Sequence, residues 1–114
     1  MKYQYEIEDS ILTLTLDGDL IGENRGPELM ELANEQVNND VKHCAIDISK
    51  VRFINSSGIG VLITLLTKFR NVDGEVVLIN PSEQVKKLLI ITKLNAIFTI
   101  VDTKEEAFRE LKNS

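Results

Sequence analysis

The residues able to do chemistry are few. One histidine, His43, and one cysteine, Cys44, stand side by side in the run "HCAIDI". Two serines, Ser56 and Ser57, stand between Asn55 and Gly58 in "FINSSGIGVL". His43 and Cys44 are consecutive in a strand-like segment, so their side chains point to opposite faces and form no dyad. A metal site needs three or four clustered ligands, and no such spacing occurs. Ser56 is not the nucleophile of a G-x-S-x-G elbow, because Ile54 stands two residues before it. No Gly-Lys-Ser or Gly-Lys-Thr is present, and the "GIG" of Gly58 to Gly60 lacks the third glycine of a dinucleotide fingerprint. The chain is therefore expected not to be an enzyme, and to hold neither cofactor nor metal.

A serine can also be acted upon. Ser56 and Ser57 open an amphipathic helix whose first backbone N–H groups lack intrahelical partners. Asn55, Ser56 or Ser57 can cap it, a contribution of about 1 kcal/mol. A cap explains one hydroxyl. It does not explain the second, nor Gly58 and Gly60, each of which costs a helix about 1 kcal/mol relative to alanine. Projected at about 100° per residue, Ser56, Gly60, Ile63 and Thr67 share one narrow sector. It flanks the apolar stripe of Leu62, Leu65, Leu66 and Phe69. The expected site is a serine on a smooth ledge over which another protein closes, with Asn55, Ser56, Ser57, Gly58, Gly60, Ile63 and Thr67 as contact residues. A phosphate on the serine would be favoured by the helix N-terminus. It would also add about −2 of charge to the docking surface, making a switch.

The elements that must position this ledge follow from periodicity. "YQYEIE" and "ILTLTLDGDL" read as strands joined across Asp9-Ser10 as a hairpin. "ENRGPELMELANEQVNN" reads as a helix with Pro27 in its first turn. "HCAIDI" and "EVVLIN" are short apolar runs expected as buried strands, with the "GVLITLLTKFR" helix between them. Ser82 caps the helix "EQVKKLLIITKL", "AIFTIV" is a last strand, and Thr103 with Glu106 forms a capping box for "KEEAFRELK". Ile90 and Ile91 fall off the apolar stripe of their helix; burial by the terminal helix is expected, with a partner or dimer surface as the alternative. The order β-β-α-β-α-β-α-β-α implies parallel pairing with one antiparallel edge. The expectation is one α/β domain over residues 1–114, a mixed β-sheet with helices packed mainly on one side.

Bulk composition narrows the partners. At 114 residues the chain can bury a core without disulfides, and a single cysteine forms none internally. A net charge of −5 argues against direct nucleic-acid binding, which relies on cationic side chains. "MKYQYEIEDS" is no signal peptide, and no apolar run approaches the ~20 residues of a membrane span. A cytoplasmic protein without membrane insertion is expected.

The segment "IDISKVRFINSSGIGVLITLLTKFR" resembles the signature of the anti-sigma factor antagonists of the STAS domain family. There, a strand ending D-x-S is followed by V-x-F-x-D-S-S/T-G-L/I-G-V-L. Asp47, Ser49, Val51, Phe53, Ser56, Gly58, Ile59, Gly60, Val61 and Leu62 match it. "GDLIGENRGPEL" resembles the family's GELDxxTAPEL, and "LLIITKLNAIF" its LLxxTGLxxIF. The resemblance implies a STAS-type fold. It also implies binding to an anti-sigma factor that is a serine kinase, phosphorylation at Ser56 that breaks the complex, and a phosphatase that restores it. Ser57 would then be the cap. This chain departs from the pattern at three places: Asn55 and Ile21 replace aspartates, and Lys93 replaces a glycine. A second function compatible with the resemblance is an accessory subunit of a membrane-associated transport or sensory complex, docking constitutively through the same face.

Overall fold

The computed structural model describes residues 1–113, and their side chains except those of residues 22–25. Five strands form one sheet in the order β1-β2-β3-β4-β5. β1 (Lys2–Glu8) and β2 (Ile11–Leu20) are antiparallel, and every later pairing is parallel. Their hairpin turns on Asp9 and Ser10, both at positive φ (55° and 62°), as a two-residue turn matched to strand twist requires. The helices are α1 (Gly22–Asn38), α2 (Ser56–Arg70), α3 (Glu83–Ile91) and α4 (Lys104–Lys112).

The alternation seen in β2 has a direct counterpart in packing. Leu12, Leu14 and Leu16 join Ile46 and Ile48 of β3 (His43–Ile54) under α1, α2 and α3. Leu62, Leu65, Leu66 and Phe69 of α2 are all buried in that layer. α4 covers the other face alone, setting Ala107, Phe108 and Leu111 on Ile11, Ala45 and Val77. Three helices on one face and one on the other agree with the mixed sheet expected.

Four local expectations change. Ile90 and Ile91 are not buried by the terminal helix, because α4 packs on the opposite face; they are 60% and 78% exposed. Pro27 lies inside α1 rather than in its first turn, since the helix already begins at Gly22. β5 is only Thr99–Val101 and does not begin at Ala96, and α3 stops at Ile91 rather than reaching Leu94, with Leu94–Ala96 forming a 3₁₀ turn between them. Lys93 enters that turn with φ 62°, a left-handed conformation that ends α3 and that glycine adopts more readily.

β3 is the longest strand, and its second half departs from regularity. Thr15 pairs with Asp47 but Asp17 with Lys50, so β3 carries one residue more than β2 there. A second extra residue falls between the pairs Gly18↔Val51 and Asp19↔Phe53. Such bulges re-aim a strand. Asp47 Oδ1 accepts from the Ser49 N–H (2.9 Å) and from its hydroxyl (2.7 Å), tying the first bulge together. This is the physical content of the D-x-S pattern. β4 (Val76–Ile79) stops where Ile79 pairs with Asp47, so residues 48–54 run on past it.

Candidate partner-binding site

The end of β3 delivers Asn55 to the start of α2. Asn55 has extended backbone angles (φ −92°, ψ −179°), and its side-chain oxygen accepts from the Gly58 N–H at 2.8 Å. It is the N-cap. Ser57 does not cap, contrary to the expectation drawn from the resemblance. The helix already begins at Ser56, which makes Ser57 its second residue. Asn55 also donates its N–H to the Leu20 carbonyl (3.3 Å), so the ends of β2 and β3 are joined at this point.

Ser56 is thus the first residue of α2. Its side chain is exposed and has no hydrogen-bond partner among the described residues. Ser57, Gly60, Ile63 and Thr67 are exposed too. Gly60 is open space: a Cβ there would meet nothing within 4 Å. Thr67 Oγ1 donates to the Ile63 carbonyl (3.0 Å). Thr64, which the sequence did not single out, is also exposed and donates to the Gly60 carbonyl (2.8 Å). Its signal was available, a hydroxyl four residues after a glycine on the same side of a helix. These bonds turn both threonine hydroxyls back onto the helix, which leaves their methyl groups and Ile63 to give the ledge an apolar character.

Gly58 is the exception among the expected contact residues. It is buried, and a Cβ there would overlap the Leu20 carbonyl and crowd Ile54. It faces inward and lets the first turn of α2 close onto β2, so the two glycines do different things.

The electrostatics of the site are mild. No acidic residue lies in the first turn of α2. Asp19 is drawn to Arg52 (3.5 Å). Ile21, where the resemblance has an aspartate, precedes α1 as its N-cap residue and makes no side-chain cap bond.

The other reactive side chains lie elsewhere. Cys44 is fully buried in the main core, and burial pushes its thiol pKa far up, away from the reactive thiolate. His43 Nδ1 accepts from the Glu75 N–H (3.1 Å). Among the described residues there is no cluster of three or more His, Cys, Asp or Glu able to hold a metal. No described helix is long and apolar enough to cross a membrane.

Comparison with known proteins follows the same outline. The model of the STAS domain matches residues 2–107. The chain belongs to the STAS domain family. This STAS domain is 29% identical over 110 residues to a protein of Thermotoga neapolitana called a "putative anti-sigma factor antagonist", covering 96% of this chain and 97% of that one. The crystal structure of a Thermotoga maritima protein described in the same words is similar at a TM-score of 0.87 and 28% identity, over 96% of this chain and 94% of that one. The phosphorylated form of the Bacillus cell fate determinant SpoIIAA has the same fold, with a TM-score of 0.71 at 21% identity over 96% and 98% of the two chains.

Proposed function

We propose that this STAS domain binds an anti-sigma factor of the serine-kinase type through the α2 ledge, and that phosphorylation of Ser56 by that kinase ends the complex. The observation that carries this reading is the exposed Ser56 hydroxyl at the first position of α2, unpartnered beside the open backbone of Gly60. The kinase supplies the base and the metal-bound ATP, so the hydroxyl needs no activation from this chain. Phosphoryl transfer forms the bond between Ser56 Oγ and the γ-phosphorus and releases ADP. The new dianion gains from the N-terminus of α2. It also places charge on a ledge whose Ile63 side chain and threonine methyl groups suit an apolar contact, and desolvating that charge opposes binding. A phosphatase resets the domain. The names of the Thermotoga relatives, and the existence of a same-fold protein in a phosphorylated form, support the reading.

The test is to incubate the chain with anti-sigma factor serine kinases of the same genome and ATP, and to locate phosphate by mass spectrometry. Phosphate at Ser56, none in Ser56→Ala, and loss of kinase binding in Ser56→Asp are expected. A chain that binds none of these kinases, or is phosphorylated elsewhere, overturns the proposal.

A further inference from the structure

The early end of β4 has left an apolar trough beside the serine site. β3 continues to Ile54 with no β4 residue alongside, and α3 packs against this overhang. Between them lies an open groove of about 250 Å³. Ile54 and Val85 are buried at its base. Phe53, 51% exposed, belongs to the strand side, and Leu88 and Ile91 to the helix side. Large apolar side chains left this open mark a contact surface more often than a defect.

The charge around the groove identifies the kind of occupant. The chain carries a net −5, yet the charged residues lining the groove are Arg52 and Lys87, both cations. Lys87 has no ion pair among the described residues, and the Arg52 contact with Asp19 is exposed and long at 3.5 Å. The strand wall of the groove leads along the chain to the serine site: Phe53 and Ile54 line the groove, Asn55 caps α2, and Ser56 follows. An anionic lipid surface meets a convex apolar face. A trough instead takes the side chains of a peptide segment.

We propose that this groove seats an apolar segment of the anti-sigma factor kinase, flanked by acidic residues that pair with Arg52 and Lys87. The inference rests on the function proposed above and adds a second anchor to it, outside the α2 ledge. The anchor touches none of the reacting atoms, so it acts on association and not on phosphoryl transfer.

The test uses the kinase found to phosphorylate Ser56. Its affinity for the wild-type chain is measured by calorimetry and compared with Ile91→Glu, Lys87→Glu and, as a control on an exposed apolar residue far from the groove, Ile7→Glu. Ile91→Glu should weaken binding by at least about tenfold. Lys87→Glu should weaken it by about three- to tenfold and flatten its salt dependence. KM for the protein substrate should rise with kcat unchanged, and Ile7→Glu should match the wild type. Melting curves identify any loss of fold. Wild-type binding with all three variants within about twofold of it overturns the groove and leaves the serine switch standing. A wild-type chain bound by no kinase overturns both. Sedimentation with phosphatidylglycerol vesicles that depends on Ile91, alongside unchanged kinase affinity, assigns the groove to a membrane and overturns the proposal.

Discussion

Gly58 is backed against the carbonyl of Leu20, so the first turn of α2 and the last residue of β2 approach more closely than any side chain allows. Gly58→Ala is therefore expected to destabilise the fold by about 1–3 kcal/mol, as overpacking does. Gly60→Ala should stabilise it by up to about 1 kcal/mol through helix propensity. It should also weaken partner binding by roughening the ledge. Urea unfolding of both variants checks the opposite signs; equal destabilisation would remove the distinction drawn between the two glycines.

The caps give a second prediction. Asn55→Ala removes the acceptor of the Gly58 N–H and should cost about 1 kcal/mol. Asn55→Asp keeps the acceptor and adds charge at a helix N-terminus, worth about 0.3–1 kcal/mol in the stabilising direction. Ile21→Asp supplies the cap that α1 lacks and should add about 1 kcal/mol. Thermal melts of the three single variants test the order.

His43 makes stability depend on pH. Desolvation by burial lowers its pKa below the ordinary 6.5, Glu75 opposes this and Lys42 adds to the lowering. The folded chain therefore binds this proton less readily than the unfolded chain. Stability from this group is complete above the unfolded pKa and is lost as pH falls through it toward the lowered folded value. His43→Asn removes the titration and can keep an acceptor for the Glu75 N–H. Urea midpoints at about pH 7.5 and about pH 5.5 should drop more for wild type than for His43→Asn. Parallel slopes would refute the assignment.

Lys93 holds a left-handed conformation at φ 62°, which costs a side-chain-bearing residue about 1 kcal/mol or more. Lys93→Gly relieves that strain, while glycine's extra freedom in the unfolded chain offsets part of the gain. The expected net gain is about 0.5 kcal/mol. A lower melting temperature would show that the lysine is retained for stability.

Where one force decided a segment, the sequence displayed it. The α2 stripe of Leu62, Leu65, Leu66 and Phe69 is buried because helical spacing and core contact coincide. Ser82 accepts from the Val85 N–H (3.3 Å) and Thr103 from the Glu106 N–H (3.1 Å), since capping is local chemistry. Where tertiary packing decided, the sequence was ambiguous. Nothing within "LLIITKL" tells which face α4 will cover, so the exposure of Ile90 and Ile91 became visible only with the sheet assembled. Residues 56–60 showed their composition but not their division of labour. Which glycine faces inward depends on Leu20, thirty-eight residues before Gly58.

The hydrogen bond from Asn55 to the Leu20 carbonyl has a consequence for how such a domain diverges. Leu20 is the residue immediately before Ile21, so two of the positions at which this chain leaves the family pattern flank a single peptide unit. They are neighbours across a joint that main-chain atoms alone hold closed. Side chains at 21 and 55 can therefore change, proline at 55 excepted, without removing the bond that closes the seam between β2 and β3.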